Sequence, residues 1–121
     1  MNKAKMSYWI GIGANLIFGL GHLVYTFFYF DALNEPSLWF FSCGLAVVFN
    51  IGLNILCVKE CDELNYAMAM AANVILVLFS VVLAVVVTET QTVGFAVVSF
   101  YMCVVCYNYA RKFRDCKNLP A

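Results

Sequence analysis

Charge is what this sequence has least of. Asp, Glu, Lys and Arg make up 12% of its 121 residues, about half of what a soluble domain carries. That shortage excludes an ordinary water-soluble globule. Histidine occurs once, at position 22, inside the apolar stretch "GLGHLVYTFFYF". With no second histidine and no acid in the apolar runs, the several ligands of a metal centre at His22 are missing. Nucleotide-binding glycine loops, catalytic triads and paired carboxylates are also absent. No cofactor, metal or nucleic-acid partner is therefore expected.

What is present is long uncharged chain. Stretches free of Asp, Glu, Lys and Arg run from Lys5 to Asp31, Glu35 to Lys59, Glu63 to Glu89 and Glu89 to Arg111. Each holds roughly the 20 residues that cross a hydrocarbon core of about 30 Å. Lipid cannot satisfy free backbone groups, so each crossing must be helical. The expected spans are Ser7–Phe30, Ser37–Val58, Leu64–Val87 and Thr92–Ala110, followed by a basic tail over 111–121. The first is read as a span and not a signal peptide: it is too long, Asn15 and His22 interrupt it, and no small-x-small pattern follows. Asn34-Glu35-Pro36 should open the second helix, and Asp62-Glu63 the third, with negative charge at the positive end of the dipole. Such short connections make successive helices neighbours. The expected fold is all-α and integral to a membrane, an antiparallel up-down four-helix bundle.

The basic residues orient it. Lys3, Lys5, Lys59, Arg111, Lys112, Arg114 and Lys117 all fall on one side, and the connections Asp31–Pro36 and Thr88–Gln91 have none. The positive-inside rule then makes both ends cytoplasmic, with a bacterial inner membrane as the expected location. Tyr8, Trp9, Tyr66, Tyr107 and Tyr109 would lie at the inner boundary, and Tyr29, Phe30, Trp39 and Phe40 at the outer one. Arg111, Lys112, Arg114 and Lys117 are expected to meet anionic lipid headgroups, at about 1 kcal/mol each.

Helical spacing gives each span one polar or small-residue seam for the bundle interior. The seams are Gly11, Asn15, Phe18, His22, Tyr25 and Tyr29; then Cys43, Ala46, Asn50, Leu53/Asn54 and Cys57. On the third span they are Tyr66, Ala69, Asn73, Leu76/Val77, Ser80 and Ala84, and on the fourth Ala96, Ser99, Cys103, Cys106 and Ala110. Gly13 and Gly21 lie off the first seam and are expected to admit a neighbour. At about 1.5 Å per residue, Asn15, Asn50 and Asn73 share a level ~4–5 Å inside the midplane. Asn54 and Asn108 would be lower. His22, Ser42 and Ser80 form an outer level about 5–8 Å beyond the midplane. A shift of 58 residues aligns Tyr8 with Tyr66, Asn15 with Asn73, and Asn50 with Asn108, the pattern a duplicated two-helix unit would leave. Against duplication, the same offset would push Arg111 and Arg114 into the bilayer.

A histidine within a span is a functional-site candidate by default. His22 can be a neutral ring bonded to Ser42, Ser80 or a tyrosine, or it can relay protons or bind a ligand. "CVVC", Cys103 to Cys106, matches a dithiol spacing. Vitamin K epoxide reductases and the bacterial disulfide-forming membrane proteins use such a pair in a four-helix bundle. Here both outer connections lack the partner cysteines of those families, so packing is the simpler account. Cys57, Cys61 and Cys116 should cluster at the inner boundary as reduced thiols, with metal binding or acylation as the alternatives.

In size and span count the chain resembles the small multidrug resistance transporters, but its first span lacks their buried glutamate. The stretches from Tyr8-Trp9 to His22 and from Leu38-Trp39-Phe40 to Asn54-Ile55 resemble small uncharacterised four-span bacterial membrane proteins, a likeness that implies no mechanism. The leading expectation is a non-enzymatic polytopic protein whose polar interior, Asn15, His22, Asn50, Asn54, Asn73 and Ser80, is chiefly structural. It would accommodate a small amphiphile or a partner's helix, and a homo-oligomer or a partner membrane protein is open. One alternative is a small proton-linked transporter switched by His22, because histidine changes charge near neutrality. The other is a membrane thiol oxidoreductase using Cys103 and Cys106.

Overall fold

A computed structural model describes residues 3–60 and 62–117, with side chains as far as Lys112. It is 92% helical. The elements are α1 (Lys3–Tyr29), α2 (Glu35–Lys59), α3 (Glu63–Val87) and α4 (Thr90–Lys117). At about 1.5 Å per residue each is roughly 37–42 Å long, more than the ~30 Å hydrocarbon core. All four are long and apolar enough to span a membrane. Two helices outrun the expected spans. α1 begins at Lys3 instead of Ser7, and α4 continues past Ala110 to Lys117. Loss of hydropathy marks where lipid contact ends; it does not end a helix, and Lys and Arg favour helix nearly as well as Leu.

The helix starts have local causes. Asn34 Oδ1 accepts the Ser37 amide at 3.0 Å, and Ser37 Oγ accepts the Asn34 amide at 2.9 Å, a reciprocal cap with Pro36 in the first turn. Asp62 Oδ1 accepts the Asn65 amide at 2.7 Å. α3 ends at Thr88 in the left-handed region, φ 48°, where a Cβ is strained. Thr88→Gly is expected to raise stability by about 1 kcal/mol in thermal unfolding in detergent.

α1 packs on α2 and α4, and α3 packs on the same two, so the four helices close a ring. Tyr8, Val47, Cys57, Phe95, Met102 and Cys106 fill its middle. The outside is apolar: Phe28 is 85% exposed, and Ile17, Phe49 and Val86 are each 74% exposed. In water such a coat would aggregate; it is compatible with an integral membrane protein. The seams of α3 and α4 lie inward as spacing predicts, with Ala69, Asn73, Ser80, Ser99, Cys106 and Ala110 buried. α1 and α2 differ. On α2, Asn50, Asn54 and Cys57 are buried as expected, but Ala46 is exposed and Gly44, Val47 and Ile51 join the inward side. Gly13 and Gly21 meet no neighbour: a methyl on either would touch nothing within 4 Å. Close approach occurs instead at Gly44 and Gly19, where α1 and α2 touch backbone to backbone. Of the pairs aligned by the 58-residue shift, Asn15 and Asn73 are both buried, whereas Asn50 is buried and Asn108 exposed.

Candidate functional site

The bundle holds two polar features, one closed and one open. The closed one is an amide network. Asn50 Nδ2 donates to Asn73 Oδ1 at 3.1 Å, and Asn73 Nδ2 donates to Asn54 Oδ1 at 2.9 Å. Asn54 Nδ2 faces the Asn50 carbonyl at 2.8 Å and the side-chain oxygens of Asn50 and Asn73, each at 3.0 Å. Tyr8 OH donates to Asn54 Oδ1 at 2.8 Å from α1. Three helices are thus tied by groups that are all buried. Amides both donate and accept, so the set is nearly self-sufficient and offers little to a ligand.

Two expectations are corrected here. Tyr8 is not an exposed boundary aromatic; it is fully buried, its ring tilted at 55° against Tyr109 with centroids 5.2 Å apart, and it is bonded to the network. Asn54 is not a separate lower level: one turn from Asn50, it is the hub. Asn15 stands outside. Its Nδ2 donates to the Gly11 carbonyl at 3.0 Å, and its Oδ1 is buried without a partner. Ser99 Oγ on α4 is likewise buried and unpartnered.

Beside the network, Cys106 contacts Cys57, Tyr8 and Asn73. Cys57 is therefore a core residue, not a boundary thiol. Cys106 is fully buried and Cys103 half-buried, and no disulfide joins the described cysteines Cys43, Cys57, Cys103 and Cys106. Within "CVVC" the second thiol's neighbour is on α2. Cys61 and the side chains of Cys116, Arg114 and Lys117 lie outside the described residues. Arg111 and Lys112 are exposed.

The open feature is a cavity of about 650 Å³. Tyr29 and Phe30, next to the α1–α2 connection, line it together with Glu89 and Gln91, next to the α3–α4 connection. His22 forms part of its wall. The ring stacks on Phe40 at 4.4 Å, and Nδ1 lies 3.0 Å from the Phe18 carbonyl. The expected bonds to Ser42, Ser80 or a tyrosine are not made. Ser42 Oγ turns to the Leu38 carbonyl at 2.7 Å and Ser80 Oγ to the Val77 carbonyl at 3.0 Å. Each hydroxyl satisfies itself on its own helix, which in a span is always within reach. Phe18 and Phe95, with ring centroids 5.4 Å apart, form the floor between cavity and network.

The cavity exists because the upper part of the α1 seam has no filling neighbour. Gly11 and Asn15 are buried, Phe18 and His22 half-buried, and Tyr25 and Tyr29 exposed. Spacing identifies that stripe; only the packing shows that it opens. No protein-family model, curated protein or solved structure matches the chain.

Proposed function

We propose that this chain is a non-enzymatic integral membrane protein whose helices run antiparallel, up and down, and that it holds a small amphiphile in the cavity beside His22. Its termini face the cytoplasm of a bacterial inner membrane, so the cavity lies in the outer half. The cavity carries this reading. Its volume of about 650 Å³ lies in the usual ligand-site range of about 300–1,000 Å³, and its wall is mostly apolar with few polar groups, as such sites are. Orientation rests on the positive residues: Lys3, Lys5, Lys59, Arg111 and Lys112 lie at the end away from the cavity. The basic stretch Arg111, Lys112, Arg114 and Lys117 would sit among anionic headgroups.

Gly21→Leu tests it. Gly21 lines the cavity, and a Cβ there meets nothing within 4 Å, so the new side chain extends into empty space without disturbing α2. Equilibrium dialysis of a radiolabelled decyl-chain amphiphile against the full chain in nanodiscs is expected to show saturable binding that Gly21→Leu abolishes. The melting temperature should not fall, because removing a mid-helix glycine is worth about 0.5–1 kcal/mol. Undiminished binding in Gly21→Leu would place the ligand elsewhere.

His22 in the cavity wall favours a second reading, proton-linked transport through the same site. Amphiphile flux in proteoliposomes would then follow a pH gradient and lose that dependence in His22→Ala. Flux indifferent to both would remove this reading and leave the binding reading intact.

A further inference from the structure

We infer that the occupant of the cavity is a cationic amphiphile: a single apolar chain bearing an alkylated ammonium, recognised by the aromatic wall and by Glu89. This rests on the amphiphile reading of the same cavity and adds the sign of the head group.

Three observations carry it. The first is the wall. Aromatic residues from α1, α2, α3 and α4 line the cavity, among them Tyr25, Trp39, Phe79 and Phe95, and Phe40, one face of which is stacked on His22. Ring faces present negative charge and attract an ammonium within about 6 Å. A sulfate or phosphate would be repelled by the same faces. The second is the only fully charged side chain in the lining, the Glu89 carboxylate. Gln91 Nε2 donates to Glu89 Oε2, which leaves Oε1 for a ligand. The third is the surroundings. Asp31 and Glu35 lie in the neighbouring connection, and among the described residues no Lys or Arg is at this end. The described charges at the cavity end, Asp31, Glu35 and Glu89, are thus all negative, which draws cations toward the mouth and disfavours anions.

The Glu89 carboxylate accepts from Gln91 and lies at the positive end of α4, but the hydrogen bonds that start the helix do not use it. The first amides of α4, from Thr92 and Val93, are taken by the Glu89 main-chain carbonyl, each at 3.1 Å. Thr92 Oγ1 donates to that same carbonyl at 2.7 Å. Glu89→Gln removes the charge and leaves this helix start in place.

The experiment is equilibrium dialysis of the full chain in phosphatidylcholine nanodiscs, with empty discs subtracted. The probes are decyltrimethylammonium, decyl sulfate and decyl maltoside. The cation is expected to bind about tenfold or more tightly than the other two. In Glu89→Gln that preference should shrink severalfold, with the affinity for decyl maltoside unchanged. Equal affinity for all three probes, or a preference that survives Glu89→Gln intact, overturns the inference while the amphiphile reading stands. If no probe binds above empty discs, the amphiphile reading itself has failed. Phosphatidylcholine carries the same ammonium, so the titration is repeated in phosphatidylglycerol discs. Unchanged affinity supports a free amphiphile as occupant, and markedly tighter binding there would assign the site to the lipid headgroup instead.

Discussion

Asn54→Leu is expected to destabilise the bundle by about 2 kcal/mol, more than the roughly 0.6 kcal/mol that one interhelical hydrogen bond contributes on average in a membrane protein. The reason is what the substitution strands. Leucine keeps the branching and heavy-atom count of asparagine, and its bulkier methyls add some overpacking to the loss. The Asn73 amide and the Tyr8 hydroxyl both donate to Asn54 Oδ1, at 2.9 and 2.8 Å, and both are buried. A buried donor without an acceptor costs about 1–3 kcal/mol. Tyr8 also touches Cys106 and Cys57, but thiols are weak acceptors, so only part of its loss is recovered. Tyr8→Phe is the informative partner. It removes a donor and leaves Asn54 Oδ1 still bonded to Asn73, so it should cost only about 0.5–1 kcal/mol. In the double variant the stranded hydroxyl no longer exists, and the combined loss should fall short of the sum. Unfolding in mixed micelles of sodium dodecyl sulfate and dodecyl maltoside, followed by circular dichroism, reads all three. An Asn54→Leu variant as stable as the parent would mean that the network does not hold the helices together.

The four helices are legible in the sequence because their signal is additive. Roughly twenty uncharged, mostly apolar residues in a row point to a long apolar helix, and Asn34 and Asp62 mark two of the starts by side-chain chemistry alone. Height along the axis is nearly as legible: Asn50 and Asn73 do meet at one level. Rotation about the axis is not. Asn15, expected at the level of the network, bonds instead to its own helix at Gly11 and so lacks the azimuth to join it. Asn54 is a turn away and has the right one. Tyr8 reads as a boundary aromatic for the same reason, since its position near the end of the span says nothing of which way the ring points. The cavity is the least legible feature. His22, Tyr25 and Tyr29 continue a seam that farther along buries Gly11 and Asn15. Whether a seam is filled depends on side chains from three other helices, information that no single stripe contains.

The second large effect is expected at Gly44, where α1 and α2 come closest. A methyl added there would lie 3.0 Å from the Gly19 carbonyl oxygen, 3.0 Å from His22 Cβ and 2.9 Å from Leu23 Cδ2. Leu23 can rotate away. A main-chain oxygen and a Cβ cannot, so the helices themselves must separate. Opposing this, replacing a mid-helix glycine by alanine gains about 0.5–1 kcal/mol. Gly44→Ala should therefore show a modest net loss. Gly44→Val, with two further carbons in the same space, should lose about 3 kcal/mol, the upper end of the range for overpacking. The controls isolate the cause. Gly13 and Gly52 meet nothing within 4 Å, so alanine at either should stabilise by about 0.5–1 kcal/mol in the same micelle titration. Separation of α1 from α2 also has a consequence for the site. His22 and Cys43, in the cavity wall, flank the contact, so Gly44→Ala should weaken amphiphile binding even where the bundle stays folded. If Gly44→Val unfolds no earlier than Gly13→Val, the close contact between α1 and α2 is not what positions that wall.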